Sequence, residues 1–364
     1  MKKSGLRFVF VSAFSIIGAI VGVGFVSGRE IVSFFFVYGE YAVTLGVITA
    51  CFLCFSVIKS VLNNNAKLIN RYYKNCKNAK LWLKYGAFVS IKHYIFGVLE
   101  IASASVMIAG LGELLVEMGN KNLLFRIIMV ISILALLFFV IEKYKNKISR
   151  ISSVVSLVLI CIMIICIIIN LEVKNDNNLI TENNNKSLIV GVINSIFYVS
   201  MNMLSSAGVI KNIRENYQNK KQVIIIGAIV SSVFLVLVFL IIFVFKHNAE
   251  IINFSMPLLV LTRQTTDIFY YIYFGAIMIG CLCSLMNVCY SGVVYFEDVK
   301  CVGESLKIII YLACAFVLSF VGFKFLVSYI YPVVGLVYLL ICLTDFAIFK
   351  IASINQKTQN NACK

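Results

Sequence analysis

Residues 18–30 read GAIVGVGFVSGRE and sit inside an apolar stretch, 8–38, that begins at Phe8. Glycines stand at 18, 22, 24 and 28, then come Arg29 and Glu30, and apolar sequence resumes. A helix needs ~20 apolar residues to cross hydrocarbon, so the stretch has membrane length. Glycine weakens a helix interior and charge inside a membrane is costly. The pattern therefore predicts one helix that stops near Val21 and a second that starts near Ser27, with Gly22, Gly24 and Gly28 supplying the dihedral freedom between them. Ser27 and Glu30 have the spacing of a capping box, in which serine and glutamate satisfy each other's backbone N–H groups. Such a break offers carbonyls from one half and N–H groups from the other. Carbonyls suit a cation, and the N–H end suits an anion such as a carboxylate. Irregular backbone at membrane depth is tolerable where it lines a cavity. Arg29 lies past the break and reads as an outer-gate residue.

The rest of the chain places this break among many spans. Of 364 residues 61% are apolar, and mean hydropathy is +0.97. Uncharged runs cover 41–58, 151–169, 187–210, 223–245, 268–296 and 308–323; runs with one or two charges cover 8–38, 85–111, 123–141 and 325–349. The runs are continuous, so ten helices are expected and barrel strands are not. Met1-Lys2-Lys3 before an apolar run has the look of a secretory signal, but no small-residue cleavage pattern ends it, and a retained first span is expected.

The net charge of +16 reports topology. With the N-terminus inside, the inner segments hold 23 Lys and Arg and the outer loops seven, with Arg29 and Lys92 within spans. This positive-inside bias predicts both termini in the cytoplasm and no nucleic-acid partner. Of the twelve cysteines, nine lie within the spans, where Cys acts as a small apolar residue.

A polar, Asn-rich connector at 171–187 divides a single membrane domain into five expected spans on each side. An odd number per half gives the halves opposite orientations, the arithmetic of an inverted repeat. The first repeat is expected over about 8–170 and the second over about 188–349, with a cytoplasmic tail at 350–364. The third and eighth spans are both long. The sixth, like the first, carries an interruption: Ser200, Asn202, Ser205, Ser206 and Gly208 fall in its middle. Small residues at such places serve close helix packing or mark a midplane site, and the pairing of the two interruptions points to the site.

Chemistry-bearing residues inside the spans are few. Glu100 lies roughly 22 Å along the third span from Tyr85 at 1.5 Å per residue, near mid-membrane. An intramembrane carboxyl is a functional candidate by default, its alternative being packing glue. His93 is seven residues earlier on the same face, within reach of Glu100 through water. Lys92 reads as a snorkelling residue and Asp345 as an inner-surface residue. Ser284 and Asn287 on the eighth span, and Tyr198 and Asn202 on the sixth, are spaced to share a face; they read either as solute contacts or as interhelical bonds.

The stretches VGVGFVSGREI, MIAGLGELLVEMG, YVSMN and YPVVG resemble the YkvI-type bacterial membrane proteins, which belong with the amino acid–polyamine–organocation superfamily and its LeuT-like five-plus-five fold. The match runs over most of the chain. By resemblance to sodium-coupled members of that fold, a solute carboxylate would meet the N–H groups of Val23 and Gly24. A sodium ion would meet carbonyls of Gly18, Val21 and Gly280 and side chains at Cys283 and Ser284. Cys283 departs from the pattern, because a thiol is a poor sodium ligand. Phe25 stands where a second sodium site would use an amide, and the fifth span holds no lysine of the kind some proton-coupled members use. The coupling ion is thus H+ or Na+, with Glu100 the proton candidate.

These readings predict an all-α polytopic protein of the bacterial cytoplasmic membrane, a secondary transporter of a small organic solute such as an amino acid or related zwitterion. The alternative is a non-transporting receptor on the same fold. No nucleophile or metal-ligand motif points to an enzyme, and no cofactor is expected. The partners expected are the solute and the lipid bilayer; the sequence does not specify an oligomeric state.

Overall fold

The computed structural model describes residues 5–62, 79–119, 122–144, 148–171, 187–296 and 303–362. Most of the connector and the inner segment 63–78 lie outside them, so the expectations placed there are not addressed. Among the described residues the chain is helical throughout. It opens with α1 (Gly5–Ile20), α2 (Val23–Val26) and α3 (Arg29–Phe34), then a 3-10 turn over Phe36–Tyr41. The first half continues with α4 (Ala42–Leu62), α5 (Ala79–Glu117), α6 (Leu123–Tyr144) and α7 (Ile148–Leu171). The second half holds α8 (Leu188–Ser205), α9 (Ala207–Asn216), α10 (Lys220–His247), α11 (Pro257–Arg263), α12 (Asp267–Tyr295), α13 (Glu304–Ser319) and α14 (Tyr331–Ala362). A π-helical turn at Leu326–Ile330 leads into α14.

Among the described residues, eight helical segments are long and apolar enough to cross a membrane. Two of the ten expected spans fall short of that length as continuous helix: α1 and α13 have 16 residues each. For α1 the cause is the glycine break that ends it.

Long apolar helices sort by how much neighbouring protein covers them. The most hydrophobic windows of α5 and α12 are 78% and 72% buried, against 22% for α6. So α5 and α12 form the middle of the bundle, while α6 turns Leu124, Ile128, Leu136 and Phe139 outward, as a lipid-facing helix does.

Packing partners exchange between the halves. α1 packs on α7 as α8 packs on α14; α1 meets α10 as α8 meets α4; α4 pairs with α10, and α5 with α12. Each pairing maps onto another when first-half helices are swapped for their second-half counterparts. This is the arrangement of a repeated five-helix unit. One further tie joins the halves: Lys92 of α5 donates to both oxygens of Asp345 on α14, at 3.1 and 2.8 Å. Read separately in the sequence, the two residues are partners in the structure.

Candidate functional site

The glycines of the first segment break the backbone where the sequence predicts. α1 ends at Ile20, and Gly22 is extended at φ −87°, ψ −172°. Gly22 N–H turns to Ile20 O at 2.9 Å, so it does not close a helical turn onto Gly18. Phe25 N–H, which would close onto Val21, goes to Gly22 O at 3.1 Å. The carbonyls of Gly18 and Val21 thus lose their helical donors. The short α2 starts at Val23, so the N–H groups of Val23 and Gly24 open a new helical turn with no carbonyl one turn back. Among the described residues these backbone groups have lost their helical partners, and Gly18, Val21, Val23 and Gly24 are all buried.

Downstream the break is pinned from outside. Gly28 is left-handed at φ 81° and starts α3. A side chain there would be strained in itself, and its Cβ would come 2.6 Å from Phe245 and 2.9 Å from Leu258. Ser27 O accepts from Leu258 N of α11 at 3.0 Å, and Val26 O accepts from the Tyr273 hydroxyl of α12 at 2.7 Å. Arg29 donates to Ile252 O at 3.1 Å.

The capping box does not form. Ser27 Oγ donates to Gly24 O at 3.2 Å and accepts from Arg29 N at 3.4 Å. The Glu30 side chain, only 1% exposed, folds back over Gly24 and accepts from the Tyr198 hydroxyl of α8 at 2.9 Å. Added to Gly24, a Cβ would overlap Glu30 Oε1 and lie 2.8 Å from Cγ. The physical reason is geometric. With the left-handed Gly28 between them, Ser27 and Glu30 are not on one continuous helical start, so the carboxyl reaches across the bundle instead.

The second interruption is slighter. α8 and α9 are separated by Ser206 alone, which keeps helical dihedrals at φ −88°, ψ −1°. Backbone bonds run through it: Ser206 N to Asn202 O at 3.0 Å and Ile210 N to Ser206 O at 2.9 Å. The Ser206 hydroxyl also bonds Asn202 O, at 2.7 Å. Asn202 donates to Tyr198 O within its own helix at 2.9 Å. Tyr198 therefore faces the first break, while Asn202 is turned to its own backbone. Gly208 lets α9 approach α12, where its N–H donates to Ser291 Oγ at 3.2 Å.

Residues expected around a cation gather along a seam of α1, α7 and α12. Ser284 Oγ bonds Gly280 O at 2.8 Å and lies 3.4 Å from where a Gly22 Cβ would stand. Gly18 backs onto Ser152 of α7, whose Oγ accepts from Asn287 Nδ2 at 2.8 Å. Cys283 also bonds Ser152, and Ser156 donates to Phe14 O at 2.7 Å. Asn287 Oδ1 is buried and has no partner among the described residues. Sequence reasoning missed Ser152 and Ser156. Their signal was three serines, at 152, 153 and 156, in an otherwise apolar run.

Glu100 is fully buried on α5, and neither carboxyl oxygen has a hydrogen-bond partner among the described residues. Within electrostatic reach are Cys289 and Tyr295 of α12, Tyr311 of α13, and Tyr331 and Tyr338 of α14. Tyr331 is also within electrostatic reach of Glu30. His93 stacks toward Tyr295, with ring centroids 6.2 Å apart.

No family model matches the chain, and no curated protein does. Among solved structures it is similar to Mhp1, a nucleobase-cation-symport-1 family transporter in a closed conformation with bromovinylhydantoin bound. The likeness has a TM-score of 0.50 at 13% identity and covers 85% of this chain and 71% of that one. It shows a shared fold, the LeuT-like arrangement that the sequence resemblance implies.

Proposed function

We propose that the protein is an ion-coupled secondary transporter of a small organic solute, an amino acid or related zwitterion. What carries the proposal is the first break. Among the described residues, backbone N–H and carbonyl groups that have lost their helical partners are enclosed in a bundle interior, beside the Glu30 carboxyl and the Tyr198 hydroxyl that bonds it. A chain that needed only packing there would keep its helix, because unsatisfied backbone groups are costly at membrane depth. The solute lies against Val23, Gly24 and Tyr198, with Asn202 reached by a rotamer change. The fold is shared with a transporter, which supports the same reading.

For the coupling ion, Glu100 is the better candidate than a sodium ion held by Gly18, Val21, Gly280, Cys283 and Ser284. Cys283 contributes a thiol, and the Gly280 carbonyl is already taken by Ser284. An unpartnered carboxyl in a closed interior is tolerable as the neutral acid. On this reading Glu100 holds a proton while enclosed and releases it when the cavity opens to water, facing Cys289, Tyr295, Tyr311, Tyr331 and Tyr338 as it does so.

The test begins with a thermal-shift screen of the purified protein against amino acids, amines and carboxylates, since a ligand of the native state raises stability. Uptake of the strongest ligand is then measured in proteoliposomes under an imposed pH gradient. Wild type accumulates the ligand; Glu100→Gln binds it and exchanges it by counterflow but does not accumulate it. Binding without any uptake by wild type would favour a receptor. Unchanged accumulation by Glu100→Gln would reduce Glu100 to packing.

A further inference from the structure

Glu30 has no part in that coupling scheme, and its surroundings are unusual for a structural carboxyl. Among the described residues it makes no ion pair, and the neighbouring Arg29 turns away to Ile252 O. The Tyr198 hydroxyl is its one hydrogen-bond donor there. Near this pair stand aromatic rings from α2, α3 and α10 and from the turn residue Phe35. Tyr198 packs edge-on against Phe34 at 4.9 Å and Phe35 at 5.5 Å, and lies 5.8 Å from Phe234. Phe25 of α2 reaches Phe234 at 5.9 Å. The glycine at 24 leaves the space that the carboxyl occupies against the break.

A carboxyl buried among aromatic rings is chemistry for an organic cation, whose entry brings the positive charge that lets the group ionise. The carboxylate supplies the counter-charge, and ring faces within about 6 Å attract a positive centre. We propose that Glu30 and the rings of Phe25, Phe34, Phe35, Tyr198 and Phe234 form a subsite for the ammonium group of an organic amine. The solute is recognised by its cationic nitrogen and needs no carboxylate. In the closed arrangement the Tyr198 hydroxyl takes one Glu30 oxygen, and the solute ammonium replaces that donor when it enters. The proposal rests on the reading of the first break as the solute site, and it narrows the solute class.

The experiment uses matched probes on the full-length protein: butylammonium and phenethylammonium against butyrate and phenylpropionate, with leucine as the zwitterion. Thermal shift and direct binding are read on wild type, Glu30→Gln and Glu30→Asp. The amines should stabilise wild type at least as well as leucine, and the acids should not. Glu30→Gln should weaken amine binding at least tenfold, and Glu30→Asp should restore part of it. If Glu30→Gln does not fold, the wild-type contrast between amines and acids of equal size decides. Equal binding of amines and acids by wild type, or unweakened amine binding by Glu30→Gln, would overturn the subsite. Amine binding lost in Glu30→Gln but without uptake by wild type would support the subsite and sink the transport reading. Uptake of acids or neutral solutes, unaffected by Glu30→Gln, would sink the subsite and leave transport standing.

Discussion

The two interrupted segments occupy matching places in the two halves, yet their backbones differ in kind. At the first, Gly22 is extended and Gly28 left-handed, and a four-residue turn is isolated between them. At the second, one serine keeps right-handed dihedrals and helical bonds to and from its own backbone, and Gly208 N–H goes to Ser291 Oγ. The left-handed turn at Gly28 favours glycine, whereas Ser206 holds an ordinary right-handed conformation. A repeated fold thus needs only one of its two breaks to expose backbone. The other can serve as a bend whose side chains, Tyr198 above all, complete the site made by the first.

The harshest test of this asymmetry is Gly24→Leu. A side chain there displaces Glu30 and fills the site, so solute binding should fall below detection while helical content by circular dichroism is kept. Normal binding would place the site elsewhere. Gly28→Ala should be felt as stability: the left-handed conformation alone costs a β-carbon about 1–2 kcal/mol, and Phe245 and Leu258 leave no room for it. A thermal midpoint lowered by several degrees is expected, and an unchanged one would mean the turn is not as tight as described. At the second interruption, Ser206→Ala removes only a hydroxyl bonded to its own helix. Its effect on solute affinity should stay under roughly threefold, since such a bond contributes about 1 kcal/mol or less. A loss as large as that of Gly24→Leu would make the two breaks equivalent. Smallest of all should be Lys92→Ala. The pair with Asp345 joins the halves but is partly exposed, at 16% and 37%. Such pairs contribute about 0.2–1 kcal/mol, so a stability change near the limit of measurement by chemical or thermal denaturation is expected.

What the sequence made legible follows from the range of the interactions. The break was readable because four glycines inside a membrane-length run have a local meaning. Glu100 was readable because a carboxyl in an apolar run stands out wherever its neighbours lie. Glu30 was misread for the same reason in reverse: its spacing from Ser27 suggested a local cap, whereas its partner Tyr198 is 168 residues away. Lys92 and Asp345 were each placed singly, and only the fold joins them across 253 residues. Ser152 was passed over because serines in a span more often bond their own helix, as Ser153 does here with Arg150 O at 2.9 Å. The second break was expected to match the first because its polar residues fall at the corresponding place, but polarity does not by itself unwind a helix.

The central claim, that the first break and not the second holds the solute, is tested most directly by a cryo-EM map of the protein with its strongest-binding solute. The account predicts solute density against α2, with polar atoms within ~3.5 Å of the Val23 and Gly24 N–H groups or the Glu30 carboxyl, beside the Tyr198 ring. Density lodged at Ser206, with Gly24 and Glu30 still packed on each other, would contradict it.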